Sequence, residues 1–161
     1  MRYKHVFAVC AYKDSPYLEQ CIRSLKAQTV PSHIIICTST PSSYIDRLAW
    51  KYGLQVYVRQ GESGIKDDWN FAYSMAEGEM VTIAHQDDMY HRDYSAGLLA
   101  AHKRYPDMTV FTTDYVIVKQ GKLITGDAML WIKRILRMPL RFPQMNDRAW
   151  VKKLAFVLGN P

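Results

Sequence analysis

Cysteine is scarce in this chain of 161 residues, which contains only Cys10, Cys21 and Cys37. An odd and sparse set offers neither a disulfide framework nor a C-x-x-C metal motif. Cys10 and Cys37 lie within apolar runs, so they are predicted to be small buried hydrophobic residues. The lack of paired cysteines indicates a reducing compartment, and we expect a cytoplasmic protein.

Long apolar runs are also missing. No stretch approaches the ~20 residues that a membrane-spanning helix requires, and the apolar run near the N-terminus is too short for the core of a secretory signal. The apolar share of 48% and the charged share of 22% are typical of a globular domain. The sequence therefore predicts a protein that is neither exported nor integral to a membrane.

The formal net charge of +6 is unevenly distributed along the chain. Basic and acidic residues are equal in number up to Leu130, so the whole excess lies in the last 31 residues. A basic tail on a neutral body indicates an anionic surface near that tail. The sequence has no zinc motif, RNP-like aromatic motif or helix-turn-helix pattern, and we expect no nucleic-acid partner.

Apolar runs of strand length alternate with segments whose apolar residues recur at helical spacing. Helices are predicted to begin at Ser15-Pro16 and at Thr40-Pro41, and Gly53 is predicted to end the second one. Four successive βα units predict an α/β fold, a three-layer sandwich with helices on both faces of a mostly parallel sheet. The predicted strands of that sheet are 4–11, 33–37, 55–59 and 80–84, and a further strand pair is expected at 108–118 and 122–125.

In a sheet of this kind, ligands bind at the carboxyl ends of the strands. The fourth predicted strand runs directly into His85-Gln86-Asp87-Asp88. Two adjacent carboxylates beside apolar residues repel each other and lose hydration, and a divalent cation such as Mg²⁺ or Mn²⁺ removes both penalties. The pair therefore indicates a metal site, although a solvated turn in which Asp88 caps the next helix explains it equally well.

The segment G-I-K-D-D-W-N opens the third predicted helix, which Gly78 is expected to end. Asp67 and Asp68 fall in its first turn, where the helix dipole favours anions. Asn70 lies away from the apolar stripe of this helix and is predicted to hydrogen-bond a base or a sugar. Trp69 belongs to the stripe, and we expect it in the core rather than at a stacking site.

The first predicted strand is followed by A-Y-K-D-S-P-Y, a short polar loop before a helix N-terminus. Such a loop can hold a phosphate or a base. It contains neither a glycine-rich dinucleotide fingerprint nor a Walker-type sequence. Taken alone, the segment is equally well explained as an ordinary βα loop.

In this order and spacing, the three segments together resemble family 2 glycosyltransferases of the GT-A fold. The resemblance extends from V-C-A-Y-K-D-S-P-Y through Gln28-Thr29 to the W-N of the third helix, then to A-E-G-E-M-V-T-I and H-Q-D-D-M-Y. The last segment occupies the family's D-x-D position, with His85 in place of the first aspartate. After the second strand, Thr38 stands where the family has an aspartate that touches the base.

The resemblance implies a Rossmann-like nucleotide-diphospho-sugar transferase in which Asp87, with Asp88 in support, holds Mg²⁺ or Mn²⁺ on the diphosphate. The implied reaction transfers a sugar from a nucleotide-diphosphate donor, with a UDP-sugar favoured, to a hydroxyl group of a saccharide or lipid-linked acceptor in cell-surface polysaccharide or glycan synthesis. A nucleotidyltransferase and a non-catalytic nucleotide-binding module stay open as alternatives. The implied donor-binding residues are Ala11, Tyr12, Thr38, Asp68, Asn70 and Gln86.

The chain is expected to divide into a nucleotide-sugar-binding α/β domain at 1–127 and a basic helical segment at 128–161. The second part is expected to begin an acceptor-side region that is cut short, so that the chain alone is inactive. An inverting transferase needs a general base near its acceptor. Asp114 and Asp127 are the only acids placed to substitute for the family's downstream base.

Within the second part, 128–141 is predicted to contain a basic amphipathic helix whose regular part Pro139 ends. Such a helix can lie on the anionic inner face of a membrane, where lipid-linked acceptors would reside. A solvated basic face packed on the domain is the alternative. The apolar face of Leu154, Val157 and Leu158 is expected to be partly exposed, or covered by a second copy of the chain.

Overall fold

The computed structural model describes residues 3–119, 122–124, 128–146 and 148–158. The chain forms two compact units, Met1–Met108 and Thr109–Pro161. The expected boundary between residues 127 and 128 lies inside the second unit. Among the described residues, no helix is both long enough and apolar enough to cross a membrane.

The first unit alternates between strands and helices. In chain order its elements are β1 (Tyr3–Ala11), α1 (Leu18–Lys26), β2 (His33–Thr38), α2 (Ser43–Tyr52), β3 (Gln55–Val58), α3 (Ile65–Met75), β4 (Gly78–His85) and α4 (Tyr94–Arg104). The four strands are all parallel and lie in the order β3-β2-β1-β4. The predicted α/β fold with a parallel sheet is confirmed.

Helices cover both faces of this sheet, as the side chains of β1 illustrate. Phe7 and Val9 pack into the cluster that contains residues of α1 and α2, whereas Val6 and Ala8 pack on the opposite face with α3. All four side chains are completely buried. The central strand is therefore apolar on both sides, and the three predicted layers meet on it.

The first helix begins later than predicted. α1 begins at Leu18 rather than at Ser15-Pro16. The Ser15 hydroxyl accepts a hydrogen bond from the Tyr17 N–H at 3.3 Å within the preceding turn. Serine followed by proline, a frequent helix start, forms a turn here instead.

The second helix also begins later than predicted, because a different hydroxyl caps it. α2 begins at Ser43, and its N-cap is Ser42, whose hydroxyl accepts the Ile45 N–H at 3.3 Å. The Thr40 hydroxyl accepts instead from the Lys13 N–H at 2.6 Å, in the loop after β1. The predicted end is confirmed, since Gly53 is the C-cap in a left-handed conformation with φ of 61°.

Gly78 is the first residue of β4 and does not end a helix, because α3 already ends at Met75. A Cβ atom at position 78 would lie 2.7 Å from the Met80 carbonyl oxygen and 2.9 Å from Cγ2 of Val6. A side chain at this position would collide with the backbone of β4 itself and with the Val6 side chain of β1, so glycine is required here.

The second unit contains a short hairpin and a helical segment. The predicted strand pair at 108–118 and 122–125 is much shorter in the structure, where Ile117–Lys119 pairs with Lys122–Ile124. Thr125, the last residue of the second predicted strand, lies outside the described residues. The predicted helix at 128–141 is confirmed as regular only to Arg137, and Pro139 lies in the 3₁₀ turn that follows. The elements are β5 (Ile117–Lys119), β6 (Lys122–Ile124), α5 (Ala128–Arg137), a 3₁₀ turn (Met138–Arg141), α6 (Pro143–Asn146) and α7 (Ala149–Leu158).

Candidate functional site

Six of the predicted site residues lie at or directly after the carboxyl ends of β1, β2 and β4, and Asp68 and Asn70 lie on α3. The six are Ala11, Tyr12, Thr38, Gln86, Asp87 and Asp88. In the sheet register, Cys10 lies beside His85 and Ala11 lies beside Thr38. The loops after these strands therefore begin next to one another at a single edge of the sheet. This is the edge at which parallel α/β sheets bind their ligands.

Gln86 joins the loop after β4 to the loop after β1. Its Oε1 atom accepts the Tyr12 N–H at 2.9 Å, and its Nε2 atom donates to the Tyr12 carbonyl oxygen at 3.0 Å. The amide thus uses both of its polar ends on the backbone of one residue. The Tyr12 side chain remains 45% exposed at this edge.

Asp87 and Asp88 are both exposed in a turn that directly follows β4. The Asp88 N–H closes this turn on the His85 carbonyl oxygen at 3.1 Å. The pKa of Asp88 is raised, first because part of its hydration is lost and then because of the negative charge of Asp87, while His85 acts in the opposite direction. Asp88 does not cap the next helix, because α4 begins at Tyr94 after an N-cap at Asp93.

The two carboxylates have the chemistry of a partial metal site. Among the residues that the structure describes, no group of three or more His, Cys, Asp or Glu side chains is arranged to hold an ion. Mg²⁺ commonly takes one or two protein carboxylates and completes its shell with water and phosphate oxygens. A divalent cation would also offset the repulsion from Asp87, which adds to the loss of hydration in raising the pKa of Asp88. The pair therefore fits an ion that arrives with a diphosphate.

Helix α1 supports the acidic turn through side chains on one of its faces. The thiol of Cys21 donates to the His85 carbonyl oxygen at 3.3 Å, and the Ser24 hydroxyl accepts the Tyr90 N–H at 3.0 Å. Further along the same loop, Nε2 of Gln28 donates to the His91 carbonyl oxygen at 2.9 Å. Gln28, which entered the predictions only through the family resemblance, thus holds this loop against the end of α1.

Asp68 lies in a polar network at the end of β2. Its carboxylate accepts from Nε of Arg59 at 2.7 Å, from the Ser39 hydroxyl at 3.0 Å and from the Gly64 N–H at 3.2 Å. Arg59 was not among the predicted site residues. It directly follows β3, and a basic residue at the carboxyl end of the predicted strand 55–59 was the signal that could have identified it.

Thr38 and Ala11 contribute little side-chain surface to the site. Thr38 is 2% exposed, and its hydroxyl accepts the Thr40 N–H at 3.0 Å. Ala11 is 4% exposed. Any contact that Ala11 makes with a ligand must therefore come from its backbone.

Lys13 is a basic residue at this edge and was not among the predicted site residues. Its backbone is left-handed, with φ of 53°, a conformation that is uncommon for lysine. Its Nζ atom lies 5.0 Å from the centre of the Tyr12 ring. Left-handed backbone at a residue other than glycine is concentrated at functional loops.

Trp69 is not a core residue, which corrects the expectation from the helical pattern. Its side chain is 40% exposed, and its ring meets that of His85 edge to face, with 4.8 Å between centroids. Asn70, the next residue on α3, is also exposed. The expectation failed because Ala72 is the only residue of α3 that is fully buried, so most of the apolar stripe of this helix lies outside the core.

Of the two candidate general bases, the structure describes only Asp114, which belongs to the second unit. Asp114 forms ion pairs with Arg134 at 2.9 Å and with Arg137 at 3.9 Å. Asp127 lies outside the described residues. The structure therefore gives Asp114 two cationic partners within its own unit.

Residues 6–158 match the model of glycosyl transferase family 2, and the chain belongs to this family. No curated protein is significantly similar to it in sequence. Among solved structures, S. aureus TarS 1-349 is 22% identical with a TM-score of 0.56, over 64% of this chain and 33% of that one.

A mannosyltransferase from Pyrobaculum calidifontis, PcManGT in complex with GDP-Man and Mn2+, is 19% identical with a TM-score of 0.51, over 62% of this chain and 32% of that one. Identities this low show the fold, which is that of GT-A glycosyltransferases. The chain spans about a third of the length of these two structures.

Proposed function

We propose that this protein transfers a sugar from a nucleotide-diphosphate donor, with a UDP-sugar as the favoured donor, to a hydroxyl group of a saccharide or lipid-linked acceptor. The observation that carries the proposal is the acidic turn of Asp87 and Asp88 held beside the loop after β1 by the paired Gln86 and Tyr12. Family membership supports the reaction class.

In this proposal, Asp87 and Asp88 would hold Mg²⁺ or Mn²⁺ together with the donor. When bound, the ion would supply positive charge that stabilises the departing diphosphate. The mannosyltransferase with GDP-Man and Mn2+ supports divalent metal use in related proteins. Gln86 keeps the acidic turn in register with the loop after β1 and so positions the ligands rather than contacting the ion.

The donor would occupy the edge formed by the loops after β1, β2 and β4. The backbone of Ala11 and the exposed ring of Tyr12 would border the base, with Thr38 shaping the end of β2 from beneath. Asp68 and Asn70 would line the pocket from α3, and we expect Asn70 within hydrogen-bonding reach of the donor. Asp68 is already held by Arg59, so its oxygens have defined directions before a ligand arrives.

Acceptor activation requires a base that removes the hydroxyl proton. Asp114 and Asp127 remain the candidates in this chain. Asp114 would have to leave Arg134, or act while paired with it. We place the reaction at the cytoplasmic, inner face of the membrane, in the assembly of cell-surface polysaccharide or glycan.

Calorimetric titration tests this proposal directly. UDP is titrated with and without Mn²⁺, GDP serves as the base control, and donor hydrolysis and transfer are then measured with a panel of nucleotide sugars. Binding that depends on Mn²⁺ and on a uridine base is expected, and the hydrolysis and transfer measurements then show whether this chain alone turns the donor over. No nucleotide binding with either base would overturn the proposal.

A further inference from the structure

Helix α5 exposes its apolar face. Trp131 is 66% exposed, and Ile132 and Ile135 are 45% and 42% exposed. These residues are spaced as one stripe of the helix, and Met138 extends the stripe into the 3₁₀ turn with 51% exposure. An apolar stripe of this size open to water is unusual unless it marks a contact surface.

The basic residues of α5 lie on the opposite side and have partners within their own unit. Nζ of Lys133 donates to the Tyr115 hydroxyl at 3.1 Å. Nε of Arg134 donates to Oδ2 of Asp114 at 2.9 Å, and Arg137 lies 3.9 Å from the other oxygen of that carboxylate. The basic side of the helix is therefore partly covered, and the apolar side is presented outward, which reverses the usual orientation of a surface helix.

Helix α7, which packs against α5, adds a second exposed stripe. Val151 and Ala155 are buried, whereas Trp150 is 58% exposed and Val157 is 76% exposed. The exposed face follows helical spacing and mixes apolar and basic side chains. Its members are Trp150, Lys153, Leu154 and Val157. The expected exposure of Leu154 and Val157 is confirmed.

We propose that the exposed stripes of α5 and α7 form a lipid-binding surface that lies in the plane of an anionic bilayer. The apolar stripes would enter the boundary between headgroups and acyl chains, where tryptophan is favoured. The exposed Lys153 would meet the anionic headgroups while its aliphatic stem stays with the apolar side chains of the stripe.

Charge decides between a bilayer and a second copy of the chain as the occupant. The second unit carries the whole formal net charge of +6, while the first unit is neutral. Two copies that met through this surface would bring like charges together. An anionic bilayer attracts the same charge, so lipid matches both the apolar and the electrostatic character of the surface.

Vesicle co-sedimentation tests this inference. The full chain is mixed with phosphatidylcholine vesicles that contain phosphatidylglycerol and, separately, with pure phosphatidylcholine vesicles. Trp131→Ser is expected to lower the partition coefficient about tenfold, the scale of one buried aromatic side chain. Trp50→Ser is the matched control, because Trp50 is an even more exposed tryptophan, at 88%, in the first unit.

The electrostatic component is tested with charge reversal. Lys153→Glu reverses one charge on the surface and is expected to lose about tenfold in binding to the anionic vesicles. Lys103→Glu, at an exposed lysine of α4, is expected to have only a small effect. Circular dichroism of each variant confirms that it is folded.

Two results would overturn the inference. The first is failure of the wild-type chain to prefer anionic vesicles. The second is a solution dimer that Trp131→Ser dissociates while vesicle binding is absent, which would make a second copy the occupant. The surface lies within the second unit, so either result leaves the nucleotide titration of the first unit unaffected and can be distinguished from failure of the proposed function.

Discussion

The side-chain amide of Gln86 pairs with both backbone groups of Tyr12, accepting from the N–H at 2.9 Å and donating to the carbonyl oxygen at 3.0 Å. The residue next to Gln86 is Asp87, so the pair links the acidic turn to the loop after β1. The link spans 74 positions of the sequence. It gives the two loops a common register before any ligand binds.

We therefore expect Gln86→Ala to weaken Mn²⁺-dependent nucleotide binding about tenfold. Loss of two partly exposed hydrogen bonds should lower the free energy of unfolding by only about 1–2 kcal/mol. A typical domain stays almost fully folded after such a loss, so weaker binding would not result from partial unfolding. Calorimetric titration and urea denaturation measure the two quantities on one sample. Unchanged affinity in Gln86→Ala would remove Gln86 from the site.

Asp87→Asn is expected to abolish Mn²⁺-dependent nucleotide binding while preserving the fold. The substitution keeps the size of the side chain and removes the charge that a divalent cation requires. Asp107→Asn is the matched control, because Asp107 is an exposed carboxylate elsewhere in the first unit. If both variants bind the nucleotide as the wild type does, Asp87 is not a metal ligand.

Substitutions at Trp69 and at Phe7 should affect donor affinity and the free energy of unfolding to different extents. Trp69 is 40% exposed beside His85, so Trp69→Ala is expected to cost about 1 kcal/mol of stability and about tenfold in donor affinity. Phe7 is completely buried, and Phe7→Leu is expected to destabilise the chain by about 1–2 kcal/mol without a specific loss of affinity. The reverse ranking of the two variants in a titration would place Trp69 outside the donor site.

The sheet could be predicted from the sequence because its information is local. An apolar run such as 33–37, which lies between two segments with helical spacing, predicts a buried strand even when the partner strands are unknown. The acidic turn was located for the same reason, since Asp87 follows directly on a predicted strand. Helix starts were less accurate, because Thr40 and Ser42 are both competent caps and only the contact of Thr40 with Lys13 excludes one of them.

The remaining features depend on contacts between residues distant in the sequence. The period of α5 defines an apolar and a basic side, but it does not say which side the rest of the unit covers. Asp114 decides this by pairing with Arg134 and Arg137. Similarly, Gln86 has an ordinary loop context, and its role follows only from the position of Tyr12.

A buried hydrogen-bond chain passes through His5, which is 3% exposed. Its Nδ1 atom lies 2.8 Å from the Ser32 hydroxyl, which itself donates to Ser95 at 3.1 Å, so Nδ1 carries the proton and donates. Nε2 then accepts from Thr82 at 2.8 Å, and Thr82 lies 3.2 Å from the Tyr94 hydroxyl. A neutral imidazole fits this chain, with Nδ1 as the donor and Nε2 as the acceptor.

This arrangement predicts that the protein loses stability in mild acid. Burial lowers the pKa of His5 from 6.5 to about 4 in the folded state. Between these values the unfolded chain binds more protons than the folded chain, so the stabilisation is present above the higher value and is lost as the pH falls toward the lower one. The loss from this group should be at most about 3 kcal/mol.

His5→Gln tests this prediction, because glutamine keeps a donor and an acceptor at the same position but does not titrate. In urea denaturation between about pH 7 and about pH 4.5, the free energy of unfolding should therefore fall less for His5→Gln than for the wild type. His33→Gln is the control, because burial also lowers the pKa of His33, although this side chain is less enclosed. A wild-type profile that coincides with that of His5→Gln would show that His5 does not control the acid sensitivity, whereas a difference confined to His5 would assign it to the buried chain.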